Sequence, residues 1–296
     1  MLFIEPHAGV QPVVQLIRAA RHSVDINAYL IDDRRILDAI RADTRRGVLV
    51  RVIMQSVPYR VSAATVQREY HDVADAGAEA RWAPVRFTHR FAYDHAKYIV
   101  DDDGRGESLI GTANFTYAAF HDNREYLWTT RDHAVGRALE EVFTADWNNR
   151  RAGAAPRALD SLVISPGGEQ NLLKVLAQPG AIDLESEEFG DVPRINGDLK
   201  RKGRLASIIV PAKLGRYDRG NLAPLQRDGV NVRHLARPHL HAKMIVGDRL
   251  AFIGSQNISW SSLNHNREMG IILRGQAVDA LRAQFNRDWR RASPRA

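Results

Sequence analysis

His95-Ala96-Lys97-Tyr98-Ile99-Val100-Asp101-Asp102 is followed by Gly111-Thr112-Ala113-Asn114 and then by Asn123-Arg124-Glu125. Further along the chain, His241-Ala242-Lys243-Met244-Ile245-Val246-Gly247-Asp248 is followed by Gly254-Ser255-Gln256-Asn257 and Asn266-Arg267-Glu268. The same offset of 146 residues relates His95 to His241, Lys97 to Lys243 and Asp102 to Asp248, and an offset of 143 relates Asn114 to Asn257 and Glu125 to Glu268. A lone His-x-Lys carries no information. Polar positions repeated in register across half a chain are an internal duplication, and a duplication predicts two similar folded units.

This doubled pattern, His-x-Lys-x4-Asp followed by Gly-[Ser/Thr]-x-Asn, resembles that of the phospholipase D superfamily, and the resemblance spans nearly the whole chain. Two departures are visible. The gap between Asp and Gly differs from the family's usual length in both copies, and Thr112 stands where Ser is commoner. Residues 103–106, Asp-Gly-Arg-Gly, are turn-forming, so a change of length there is expected to leave a site intact. The resemblance implies an α/β protein of two similar domains, each a mixed β-sheet flanked by helices. They would be related by a pseudo-twofold axis with one active site at their interface. The Ala- and Gly-rich join at 150–156 places the domains at residues 1–155 and 156–296.

Local patterns agree with alternating strands and helices. Apolar residues at Val13, Val14, Leu16, Ile17 and Ala20 predict a helix opened by Pro12. Residues 23–30 alternate as a strand, 33–46 read as a helix closed by Gly47, 48–54 as a buried strand and 63–76 as a helix closed by Gly77. Residues 98–100 and 108–110 read as strands about a turn, and 134–147 as a helix. The second half repeats the plan at 170–177, 181–184, 199–202, 205–210 and 278–289, so that Phe143-x3-Trp147 matches Phe285-x3-Trp289. Residues 185–195 read as an irregular loop beside the site.

The chemistry follows from spacing. His and Lys two apart on a strand face the same side, so two halves packed about a twofold bring two Lys and two Asn onto one anion. A phosphate has the matching charge and acceptor oxygens. Phosphodiester cleavage needs charge stabilisation, a nucleophile and an acid for the leaving oxygen, and each has a candidate without a metal or other cofactor. The resemblance implies that one histidine attacks phosphorus and the other handles the proton; in two-motif members the first is commonly the nucleophile, which assigns attack to His95 and acid–base work to His241. It also implies that the carboxylates cross the interface, Glu268 orienting His95 and Glu125 orienting His241. Lys97, Lys243, Asn114 and Asn257 complete the catalytic set. Thr112 and Ser255 are expected to support the substrate or to cap a turn. Asp102 and Asp248 are expected to be structural, and His22, His71 and His133 to be solvated bystanders.

For the rim of the site the interleaved Arg and aromatic residues Trp82, Arg86, Phe87, Arg90 and Phe91 are nominated as substrate-binding. Such a stretch suits stacked bases or a lipid headgroup, while for Trp82 and Phe87 core packing is the better single explanation. Net charge is +7 and the pI about 9.8, which suits a polyanion, nucleic acid or an anionic lipid surface, and is also common in Arg-rich proteomes. Cys is absent, which removes disulfides and thiolate nucleophiles but leaves the compartment open. Residues 1–6 show no signal-peptide pattern, and no apolar run is long enough to span a membrane. A monomer is expected, with room for peripheral contact at a membrane surface. The implied activity is metal-independent phosphodiester hydrolysis or phosphatidyl transfer, on phospholipids first and on DNA or RNA as the alternative. A non-catalytic anion-binding relic fits less well, since both motifs keep every chemical group.

Overall fold

The computed structural model describes residues 1–294. Two seven-stranded mixed sheets share one strand order. The first runs Leu2–Ile4, Tyr126–Thr130, Ser108–Gly111, Tyr98–Asp101, Ser23–Ala28, Leu49–Met54 and Glu79–Trp82; the second runs Leu162–Ser165, Glu268–Leu273, Ala251–Gly254, Lys243–Val246, Ile182–Ser186, Ala206–Pro211 and Asn231–Leu235. In each sheet the last three strands are mutually parallel and the rest antiparallel. The duplication seen in the sequence is therefore a duplication of topology.

Every residue of Ser23–Ala28 and of Ile182–Ser186 is buried, as expected for central strands covered on both faces. On the outer face of the first sheet lie the helices Gln11–Ala19 and Arg34–Arg45, whose Val13, Ile17, Ile36 and Ile40 pack on Val24, Ile26 and Val52. Pro sits in the first turn of the former, and the Asp33 carboxylate caps the latter by accepting the Arg35 N–H. The second sheet has its own outer cluster built on Leu172, Ile195, Leu199 and Leu225.

The inner faces do not have separate cores. Tyr98, Ile110 and Tyr126 from one sheet and Met244, Ile253 and Met269 from the other belong to a single cluster with the helices His133–Trp147 and Gln276–Arg291. Phe143 and Phe285 are buried there, each stacked on the Trp four residues on. The halves are thus joined by apolar burial, the dominant stabilising term in folding.

Several segments differ from the sequence reading. The strand at 23 stops at Ala28, because Tyr29 leaves the sheet to cover the site. Residues 185–195 are irregular only at 187–192: Glu185 and Ser186 finish a strand, and a helix, Pro193–Lys202, starts at Pro193. The helix Arg216–Arg227 holds Gly220 and Pro224, two residues that argue against a helix in sequence; Leu222 and Leu225 buried on the second sheet override them. The long turn after Asp102 is not idle. Gly104, at φ +76°, lies so close to the Gly136 backbone that a Cβ would meet it at 2.4 Å, so the turn clips onto the interface helix.

Candidate active site

Both His-x-Lys pairs open an inner-sheet strand where it crosses to the other half. The His95 N–H donates to the Arg267 carbonyl at 2.8 Å, and the His241 N–H to the Arg124 carbonyl at 3.3 Å. A short parallel ladder, His239–Leu240 with Asn123–Arg124, closes one of these crossings. The residue after each arginine is the glutamate, so backbone pairing delivers each carboxylate to the opposite histidine. Glu268 Oε2 lies 2.8 Å from His95 Nδ1, and Glu125 Oε1 lies 2.7 Å from His241 Nδ1. With Nδ1–H held by a carboxylate, the other ring nitrogen of each is released for chemistry.

Each carboxylate is further held by its own half. Glu125 accepts the Thr112 hydroxyl at 2.5 Å and Asn123 Nδ2 at 3.3 Å; Glu268 accepts the Ser262 hydroxyl at 2.6 Å and Asn266 Nδ2 at 2.9 Å. Burial alone would raise both carboxyls, but the histidine, the neighbouring lysine and the hydroxyl outweigh it and hold both below the ordinary range. Thr112 is thereby tied into the support of Glu125. Thr112 also accepts the Tyr126 N–H, and Ser255 exchanges hydrogen bonds with the Met269 backbone. Ser262, which sequence reasoning missed, takes the part at Glu268 that Thr112 takes at Glu125.

Lys97 is wholly buried and donates to the His95 carbonyl. Burial, with the like charge of Lys243 adding and Glu268 opposing, pushes its ammonium down to about 7. Lys243, also buried, donates to the His241 carbonyl at 2.5 Å and to Glu187 Oε2 at 2.5 Å. His95 is pushed below its ordinary value by burial, Glu268 opposing and the two lysines assisting. It is therefore neutral near pH 7, with a free Nε2 lone pair. The amide oxygens of Asn114 and Asn257 are buried without a hydrogen-bond partner. An amide can be turned end for end at little steric cost, so these side chains can offer donors or acceptors to a bound group.

Two neighbours were not singled out in the sequence, although Glu187 falls in the stretch 185–195 read as a loop beside the site. Tyr29 meets His95 edge to face at 4.6 Å between ring centres and lies under Lys97 Nζ at 4.9 Å. Glu187 lies 3.4 Å from His241 Nε2.

The rim nomination needs correction. Phe87 is buried between the guanidiniums of Arg86 and Arg267. Arg86 is spent on Asp146, Asn149 and the Arg150 carbonyl. It and Phe87 line a cavity of about 490 Å³ together with Arg151 and Arg157, a cavity that none of the histidines and lysines of the two motifs lines. Trp82 packs on Tyr70 at 4.3 Å. The order of aromatic and Arg residues in this stretch thus reflects packing across the domain join. Only Arg90 and Phe91 stay exposed, the guanidinium over the ring at 4.7 Å. Asp102 accepts the backbone N–H groups of Arg21, His22 and Ser23, a structural task, while Asp248 sits at the surface beside Arg249.

Residues 13–147 and 194–289 match the domain family described as "Cardiolipin synthase, PLD-like domain". Among curated relatives, cardiolipin synthase A of Pseudomonas entomophila (strain L48) is 29% identical over 150 residues, covering 50% of this chain and 30% of that protein. The cardiolipin synthase of Halalkalibacterium halodurans is 23% identical over 325 residues, covering 92% of this chain and 62% of its own length. The chain thus spans about a third of the first of these and under two thirds of the second. Among solved structures, the phosphatidylserine synthase of Haemophilus influenzae Rd KW20 superposes with a TM-score of 0.71 at 14% identity, covering 96% of this chain and 85% of that one, a likeness of fold.

Proposed function

The chain belongs to the phospholipase D superfamily, and from that membership we propose that it is a metal-independent enzyme that breaks a phosphodiester through a phosphohistidine, acting on phospholipids. The observation that carries this reading is the crossed pair of contacts, His95 with Glu268 and His241 with Glu125, beside two buried lysines. One centre then offers two poised imidazoles and a place for one anion between them.

His95 Nε2 attacks phosphorus. A P–N bond forms as the P–O bond to the leaving alcohol breaks, and His241 gives its Nε2 proton to that oxygen. Water or an acceptor alcohol then surrenders a proton to His241 while its oxygen attacks phosphorus. The P–N bond breaks and its electron pair returns to His95. Lys97 and Lys243, with Asn114 and Asn257, balance charge on the non-bridging oxygens, the task that a cation performs elsewhere. Support for a lipid substrate comes from the matching domain family and from relatives named as cardiolipin synthases.

The test is substrate profiling in excess chelator, with phospholipid vesicles, single-stranded DNA and a soluble aryl phosphodiester. Headgroup release or transfer from vesicles, undiminished by chelator, is the expected result. Inert vesicles with salt-sensitive cutting of DNA would replace the lipid reading with a nuclease. Activity lost to chelator and restored by a divalent ion would remove the metal-independent mechanism.

A further inference from the structure

Besides the Thr112 and Ser262 supports of the two carboxylates, the two halves differ at one position against the histidine rings. Strand register makes Asn27 and Glu185 equivalent, since they pair with Tyr98 and Met244, which are equivalent in the two motifs. Two residues on, Tyr29 and Glu187 therefore occupy the same position. The next landmarks agree: Ile31 bridges to Phe115 and Phe189 to Ile258. An aromatic ring in one half is thus replaced by a carboxylate in the other.

The consequences fall on the imidazoles. His241 has a carboxylate at each ring nitrogen, Glu125 at 2.7 Å from Nδ1 and Glu187 at 3.4 Å from Nε2. His95 has one, Glu268 at Nδ1, and the Tyr29 ring stands where a second would be. The other charged group facing His241 is Lys243, its Nζ 3.3 Å from Nδ1; Lys243 is itself held by Glu187. His95 is faced by Lys97 and Lys243 as well as by Glu268, and the lysines disfavour its cation. Glu187 in turn feels His241, Lys243 and His95, which hold it well below the ordinary carboxylate range although burial alone would raise it.

Resting on the phosphohistidine reading above, we propose that Glu187 is the positioning residue that breaks the pseudo-symmetry of the site: it holds the proton on His241 Nε2, making His241 the acid and leaving His95 the nucleophile. It does so through charge, across the centre from Glu125. When the diester enters, its oxygen takes over the Lys243 contact that Glu187 holds in the free protein. The Nε2 proton is then delivered to the leaving oxygen.

The experiment maps the phospho-adduct, which is acid-labile, by an alkaline denaturing quench and peptide mass spectrometry in wild type, Glu187→Gln and the exchange Tyr29→Glu/Glu187→Tyr. Each is also assayed on an alkyl diester and an activated aryl diester across pH. Wild type should carry the adduct on His95 roughly tenfold over His241. Glu187→Gln keeps the shape and removes the charge. It should cost the alkyl diester roughly tenfold and the aryl diester about twofold or less, because an activated leaving group needs little proton help. The pH profile of the alkyl diester relative to that of the aryl diester, from which the limb that Lys97 gives to both cancels, should shift to lower pH. The exchange should carry the adduct to His241. An equal loss on both esters with an unmoved pH profile and adduct ratio would overturn the proposal, leaving Glu187 a structural prop. A lower KM with nothing else changed would also overturn it, making Glu187 an occluder. No adduct on either histidine in wild type would instead defeat the phosphohistidine reading, and the proposal with it. Should the exchange not fold, Glu187→Gln decides alone.

Discussion

The guanidinium of Arg124 grips the Asp288 carboxylate with two hydrogen bonds, Nε at 2.7 Å and Nη2 at 3.1 Å, and both side chains are wholly buried. Arg267 grips Asp146 in the same way, at 2.7 and 3.1 Å. Each arginine immediately precedes the glutamate that serves the other half's histidine. Each aspartate sits one residue before the Trp of an interface helix. The two clamps therefore set both the docking of the halves and the placement of Glu125 and Glu268.

Removing one partner of a buried pair strands the other charge. Asp288→Ala should lower stability by about 3–5 kcal/mol, read from denaturant midpoints, and should depress activity even at low temperature where the protein stays folded. Replacing both Arg124 and Asp288 by apolar residues of similar size should recover much of the stability and little of the activity, since Glu125 would lose its guide.

His95→Ala should reduce turnover by several orders of magnitude on any diester, as loss of a nucleophile does. His241→Ala should be as damaging with an alkyl leaving group and milder with an activated aryl ester. Steady-state kinetics on the two esters checks both.

Lys97 supplies a pH signature. Its ammonium is pushed down to about 7, mainly by burial, so in the free protein it loses its charge as pH rises through about 7. The kcat/KM for both esters should therefore fall above that pH, and the limb seen in kcat should lie higher, because a bound anion favours the charged lysine. The Lys97 contribution to stability should move the other way. Between about 7 and the ordinary lysine range the unfolded chain binds the extra proton, so this contribution rises with pH, against the falling one of Glu5, Asp25 and Asp101, whose carboxyls burial pushes up to about 8, about 8 and about 9. Lys97→Met should remove the rising contribution, read as the pH-dependent difference between wild-type and variant thermal melts.

Phe91 is 57% exposed, and Tyr117 and Trp260 are 58% and 52% exposed. Tyr117 and Trp260 start the equivalent helices Tyr117–His121 and Trp260–Asn264, just past Asn114 and Asn257. Replacing Phe91, Tyr117 and Trp260 by Ala should lower activity on vesicles more than on a soluble aryl diester. Trp82→Ala, by contrast, should cost stability through its lost stack on Tyr70 and treat both substrates alike.

What the sequence revealed and what it hid have separable causes. The motif residues were legible because the chain keeps them at a near-constant offset, and the two sheets repeat the same strand order. Helices were legible where apolar spacing, Pro12, Asp33 or Gly77 marked them. Tyr29 and Glu187 were not legible as a pair, since 187 − 29 = 158 departs from the motif offset and only strand register equates them. Ser262 was hidden for a similar reason: its counterpart in role, Thr112, lies on a different element. Arg86 and Phe87 misled because an Arg beside an aromatic has the same spelling whether it meets substrate or packs on Asp146 and Arg267.

The crossed carboxylates also impose an order in time. As the chain is synthesised, His95 appears first and Glu268 follows only after a further 173 residues. Until then His95 has no carboxylate to fix its tautomer, and Arg124 likewise waits 164 residues for Asp288. A half-made chain therefore displays the whole first motif without the carboxylate that His95 meets in the finished fold. On the proposed mechanism, residues 1–155 alone should be inactive even if folded, which an assay of that half on a soluble aryl diester checks.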